Sequence, residues 1–178
     1  MDGDFKLAVV HLEKAYAADS NNVNTLSMLG YSYYHAANYK KAINTFGRLI
    51  SLRPNETSAY YYRGKARHLL ATETYGMAPI DREKLYQAAI KDFSKAIEAN
   101  GDDPKFYQNR ALVYKDYGIL KGQKTPKFYD KTKSAEYLKA AISDFQTVLT
   151  LSPGRKDIST QIQETKDYLQ NIVNQKGK

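Results

Sequence analysis

Residues 23–54 read VNTLSMLGYSYYHAANYKKAINTFGRLISLRP, and the spacing within them decides the fold. Leu26, Leu29, Gly30 and Tyr33 recur three and four apart, and Ala42, Phe46 and Leu49 repeat that spacing. Such a period belongs to helices with one apolar face, not to strands, whose side chains alternate. The stretch therefore predicts a pair of helices.

Working outward, the second half of this stretch returns twice without gaps. KAINTFGRLISLRP from Lys41 aligns with AAIKDFSKAIEAN from Ala88 and with AAISDFQTVLTLSP from Ala140. The first half has its own relatives, since NTLSMLGYSYYHAANY from Asn24 matches SAYYYRGKARHLL from Ser58 and KFYQNRALVYKDYG from Lys105. The two classes alternate along the chain, as expected when each repeat is one helix pair that buries its apolar face only by stacking on the next. Gly30, Gly64 and Ala111 fall at equivalent points. A residue without a bulky side chain there lets two helix backbones approach closely.

These positions resemble the tetratricopeptide repeat, whose period is 34 residues. The second unit supplies Leu26, Leu29, Gly30, Tyr33, Ala42, Phe46 and Pro54, with Leu49 where a small residue is usual. Units three and four match at Tyr60, Gly64, Tyr86, Ala89, Phe93 and Ala96 and at Tyr107, Ala111, Tyr114, Ala141, Phe145 and Pro153. They depart at Arg63, Arg110 and Val148. The resemblance implies an all-α, right-handed superhelical solenoid of antiparallel helix pairs. The chain then divides into a half repeat over 1–22, repeats over 23–56, 57–103 and 104–153, and a capping helix over 155–175, whose Ile158, Ile162, Leu169 and Ile172 form one stripe.

Two features depart from the simple period. Repeats three and four are 13 and 18 residues too long, which predicts insertions near 71–84 and 118–135, in the turn between first and second helix. Pro79 and Pro126 suit helix starts there. The half repeat carries Gly3, Phe5, Ala8, Leu12 and Ala15 in second-helix register, leaving Phe5, Val9 and Leu12 without an intrarepeat partner. That predicts a longer solenoid, or a face that packs on a second copy.

Composition narrows the function classes. Hydrophobic residues at 42% and charged residues at 26% supply a core and place the chain outside the disordered range. There is no Cys, which removes thiolate catalysis and Cys-ligated metals. No apolar run approaches the ~18 residues of a membrane span, and MDGDFKLAVV lacks the pattern of a signal peptide. His11, His35 and His68 sit in no ligand motif, although His35 and His68 are 33 residues apart and so could meet on adjacent first helices. Neither HExxH, GxSxG nor a phosphate-binding or dinucleotide fingerprint occurs, so neither an enzyme nor a cofactor is expected.

The formal charge of +8 is shared between the halves, +3 over 1–89 and +5 over 90–178. One stretch concentrates it: Lys121, Lys124, Lys127, Lys131 and Lys133 oppose only Asp130. With Phe128 and Tyr129 among them, these lysines suggest a secondary basic contact, to phosphates or to an acidic protein, or else simply solubility in an exposed loop. Tyr129 is also a candidate to fold back on Tyr75 or Tyr117.

By resemblance, the first helices line a concave groove holding Asn24, Ser27, Tyr31 and Tyr34, then Ser58, Tyr61, Lys65 and His68, then Lys105, Gln108 and Leu112. Tyr62 and Asn109 stand at its edge. Tyr33, Tyr60, Tyr107 and Tyr114 fall on packing positions instead. The Lys, Asn, Asn, Lys, Arg clamp by which some members grip chaperone C-termini is absent, because Ser27, Tyr31, Tyr62, Lys105 and Asn109 stand at its places. The expectation is a scaffold that binds an acidic or aromatic peptide in the groove. Nucleic-acid binding through the lysines is the weaker alternative, and self-association through the half repeat is a third.

Overall fold

The computed structural model describes residues 2–124 and 128–174, and the described residues form eight helices and no strand. They are α1 (Asp2–Ala18), α2 (Val23–His35), α3 (Tyr39–Leu52), α4 (Thr57–Glu73), α5 (Pro79–Ala99), α6 (Pro104–Gly122), α7 (Lys131–Leu151) and α8 (Lys156–Asn174). Local chemistry sets their starts. Asn22 and Asp130 accept hydrogen bonds from the Thr25 and Lys133 amides at 3.0 and 2.9 Å, which satisfies donors that a helix start leaves open. Pro79 and Pro104 occupy first turns, where no amide hydrogen is needed.

Each helix packs on its chain neighbours, and beyond these α2 and α4, α4 and α6, and α6 and α8 approach backbone to backbone, while α1 reaches α3 through Glu13 and Lys41 at 2.7 Å. The even-numbered helices therefore line one layer and the odd-numbered ones the other, with the core divided along the stack. Close approach within a pair depends on the small residues. A Cβ added at Gly30 would lie 2.8 Å from the Phe46 ring, and one at Gly64 would lie 3.1 Å from Phe93.

The two arginines that depart from the repeat pattern have partners. Arg63 and Arg67 both bond Asp92, with Arg63 Nη2 at 2.7 Å, and Arg110 grips Asp144 through Nε at 2.7 Å and Nη2 at 2.8 Å. Asp92 and Asp144 stand one residue before Phe93 and Phe145, at the register position that Thr45 holds in the second unit. There Leu29 replaces the arginine. Each departure is thus half of a pair within one repeat.

The insertions differ from the expectation of long turns. Their residues lengthen helices: α4 has 17 residues against 13 in α2, α5 has 21 against 14 in α3, and only residues 74–78 lie between α4 and α5. The reason is that the added residues carry core of their own. Ala71 and Leu120 of the insertions join one cluster with the flanking Tyr86 and Tyr117, and Tyr117 stacks on Tyr137 with centroids 4.1 Å apart. Gly118 and Gly122 let α6 close on its neighbours, since an added Cβ would meet Leu138 at 2.8 Å and Ile172 at 2.7 Å. Tyr129 does not fold back on Tyr75, which is fully exposed. Pro126 lies outside the described residues.

At the first end, Val9 and Leu12 are better partnered than expected, because with Tyr16 they pack on the α2–α3 core. The open side of α1 falls instead at Leu7 and Val10, which are 60% and 49% exposed. At the other end α8 buries Ile158, Ile162 and Ile172 and turns Gln163, Lys166 and Gln170 outward. No helix of the described residues is long and apolar enough to cross a membrane.

Candidate binding groove

Helical spacing brings two stripes face to face on the even-numbered layer. Ser27, Tyr31 and Tyr34 follow one another at four and three residues on α2, as do Ser58, Tyr62 and Lys65 on α4. Their rings meet across the gap: Tyr31 and Tyr62 have centroids 5.1 Å apart at 83°, and Tyr34 and Tyr62 are 5.6 Å apart. Tyr61 extends the cluster to Tyr62 at 5.1 Å and to Phe106 of α6 at 5.3 Å. From the other side Phe5 of α1 stacks on His35 at 4.7 Å and meets Tyr31 edge-on at 6.0 Å. Edge-to-face and offset arrangements hold the rings in place without filling the space between helices.

That space is an open cleft of about 530 Å³, walled by Phe5, Ala8, Ser27, Met28, Tyr31 and Tyr62, with buried Phe46 at its floor. Met28 is 59% exposed and Tyr31 38%. The size suits one or two ligand side chains, and an apolar wall with few polar groups is how binding clefts are usually built.

Charge in this part of the groove comes from Asp4, which lines the α1 side of the cleft, and from Lys65, which stands beyond Tyr62 on α4. Its ammonium lies 4.9, 5.3 and 5.8 Å from the ring centroids of Tyr34, Tyr61 and Tyr62. Burial pushes the phenols of Tyr34, Tyr61 and Tyr62 above their usual range, with Lys65 opposing the shift at Tyr61. Burial, and then the charge of Lys65, hold the His35 imidazole below its ordinary value. His35 is therefore an aromatic wall at neutral pH, not a cation.

The α6–α8 half of the same layer is closed on itself. Lys115 donates to Gln161 at 3.0 Å and to Glu164 at 2.9 Å, and Arg155 reaches Gln108 at 3.3 Å while pairing with Asp157. His68 bonds Asp116 at 2.6 Å. This pairing, and the stacking of His35 on Phe5, account for both histidines without the approach to each other that their spacing suggested. Asn109 donates to Tyr61 at 3.4 Å and to the Lys105 carbonyl at 2.8 Å, whereas Leu112 packs on the third core cluster. Lys105 is exposed at the rim beside Asp103, at 3.2 Å. Asn24 is exposed at the start of α2.

The groove residues expected from sequence thus divide. Ser27, Tyr31, Tyr34, Ser58, Tyr61, Tyr62 and Lys65 assemble around one cleft and its edge. His68, Gln108, Asn109 and Leu112 are used in internal contacts. Sequence reasoning missed Met28 and Phe46 as cleft residues and Phe5 as a wall. The signal for Phe5 was present, since α1 carries apolar residues all round, a pattern that belongs to helices covered on more than one side.

The lysine-rich segment does not make one basic face. Lys121 is buried, 7% exposed, and pairs with Glu83 at 2.9 Å, beside a Tyr117 hydroxyl that donates to the same carboxylate at 2.5 Å. A charge sunk into the α5–α6 junction cannot meet a phosphate, which corrects that part of the sequence reading. Lys131 donates to the Val173 carbonyl at 2.9 Å and Lys133 lies 3.7 Å from Asp130. Lys124 is exposed and Phe128 half-buried. Lys127 lies outside the described residues. Among the described residues no group of three or more His, Asp or Glu could hold a metal ion.

Residues 1–67 match the family model described as tetratricopeptide repeat. Serine/threonine-protein phosphatase 5 of Rattus norvegicus is 29% identical over 145 residues, covering 82% of this chain. The chain spans about a fifth, 22%, of that relative's length. Among solved structures, the MamA RS-1 double mutant superposes with a TM-score of 0.68 at 20% identity, covering 96% of this chain and 80% of that one. The first TPR domain of Spaghetti (RPAP3), bound to an HSP90 peptide, gives 0.59 at 19% identity, over 85% of this chain and 95% of its own. At these identities the structures share the fold.

Proposed function

We propose that this chain, which belongs to the tetratricopeptide repeat family, is a protein-interaction scaffold that holds a peptide or partner segment in the α2–α4 part of its inner face. The observation that carries this reading is the 530 Å³ cleft walled by rigidly stacked rings. Tyrosines already ordered by their neighbours lose little entropy when a ligand arrives. Two structures that share the fold were solved with a peptide bound, one an HSP90 peptide and one a peptide of the translocator YopD. Binding rather than catalysis is therefore the function proposed.

A random dodecapeptide library displayed on phage and selected on the immobilised protein tests this. Selected peptides should bind the wild type and lose about 30-fold on Tyr62→Ala, the effect of a central aromatic contact. Because the Tyr62 ring also packs on Phe46, the variant's melting midpoint should fall, and binding is compared at a temperature where circular dichroism shows both proteins folded. Peptides that bind Tyr62→Ala as well as wild type would put the site elsewhere. Self-association is a second reading, favoured by exposed Leu7 and Val10 on α1. Sedimentation equilibrium at several concentrations decides it, since a monomer throughout would remove it.

A further inference from the structure

Most inner-face cations of this solenoid are matched internally. Lys115 has Glu164, Arg155 has Asp157, Lys105 has Asp103, and His68 has Asp116. Lys65 differs. Among the described residues it makes no ion pair and donates to no acceptor, and its only contacts of these kinds are the faces of Tyr34, Tyr61 and Tyr62. Ring faces attract a cation without cancelling its charge, so the ammonium is held in place while its three donors remain unused.

Its location matters as much as its charge. Tyr62 belongs both to the wall of the cleft and to the ring box around Lys65. Lys65 follows Tyr62 by three residues on α4, roughly 4.5 Å further along the helix. A ligand with one side chain in the cleft would thus bring its next few residues to the ammonium.

We infer that Lys65 is the anion receptor of the groove, and that the ligand is an acidic peptide segment with a large apolar side chain in the cleft and an Asp or Glu carboxylate on Lys65. This rests on the groove reading above and adds the chemistry of the partner to it. A carboxylate fits better than a phosphate. The site offers one point charge and no guanidinium fork, and phosphate recognition by proteins favours clustered or bidentate donors. The excess of basic over acidic residues, 27 against 19, draws an acidic segment toward the protein.

Library selection on three proteins tests the assignment: wild type, Lys65→Gln and Lys65→Glu, each first checked for an unchanged helical circular-dichroism spectrum and melting midpoint. Wild-type winners should carry Asp or Glu within a few residues of Phe, Leu or Met, and should bind Lys65→Gln about tenfold more weakly. Winners from Lys65→Gln should keep the apolar residue and lose the acidic one, and those from Lys65→Glu should carry Lys or Arg instead. Acidic residues still enriched on Lys65→Gln would overturn the assignment of Lys65 while leaving the groove standing, provided Tyr62→Ala still weakens binding about 30-fold. Winners on wild type without Asp or Glu would also overturn it. Winners indifferent to Tyr62→Ala would overturn the groove and this inference together.

Discussion

The two halves of the inner face are built from equivalent helices and do opposite things with their side chains. Between α2 and α4 the facing stripes are aromatic, and they lean on one another around an open cleft. Between α6 and α8 they are polar, and Lys115, Gln161, Glu164, Gln108 and Arg155 satisfy one another across the gap. Water or a ligand must supply what the protein does not, so the first half is the one with something left to bind. The difference extends into the pairs themselves: the second unit buries Leu29 where later units place Arg63 and Arg110 on Asp92 and Asp144.

The largest break in this contrast should come from the buried ion pair. Asp144→Ala leaves Arg110 without its counter-charge in a half-closed interior, with only the Ser94 hydroxyl at 2.9 Å still accepting from it, and should cost about 3 kcal/mol in chemical denaturation. Arg110→Leu combined with Asp144→Thr installs the residues of the second unit, and should recover most of the loss. A double variant no more stable than the single one would mean that the later units cannot be packed like the second.

Next in size is the functional contrast. For any peptide selected as above, calorimetry should find Tyr31→Ala weaker by about 10- to 30-fold, and Gln108→Ala within threefold of wild type. Equal losses at both sites would erase the distinction between the halves. A smaller effect is expected of Lys115→Met, because its partner Glu164 has a side chain 52% exposed. It should move the melting midpoint by no more than about 1 kcal/mol of stability permits.

The smallest effect depends on pH. Burial among rings, aided by Lys65, holds the His35 imidazole below its ordinary value near 6.5. Above that value His35 is neutral folded or unfolded and contributes nothing. As pH falls through it the unfolded chain takes the proton first, so stability declines and levels off once the folded chain is protonated too. Melting of wild type should therefore fall relative to His35→Phe between pH 7 and 5. A constant difference would mean that the ring stack tolerates the charge.

Much of this was legible along the chain, and the misses have a common form. Leu26, Leu29, Gly30 and Phe46 announced a helix pair because their spacing is set by the helix itself, within a few residues. Arg63 and Arg110 were visible only as departures, since Asp92 and Asp144 stand 29 and 34 residues away. Lys121 was counted as surface charge although Glu83, 38 residues earlier, draws it inside. The insertions read as turns because their extra residues fall between the first-helix and second-helix registers. They lengthen helices because their Ala71 and Leu120 are buried in the core that the flanking Tyr86 and Tyr117 share.

The sequence by itself determined the helices, their alternation and their stacking, because these follow from local periodicity and from small residues set opposite large ones. Only the tertiary structure decided which polar groups are spent on the fold and which remain for a partner. That follows from distance and burial between residues far apart in the chain: the same lysine is a structural pair at Lys121, beside Glu83, and an unpaired charge at Lys65, amid three tyrosine rings.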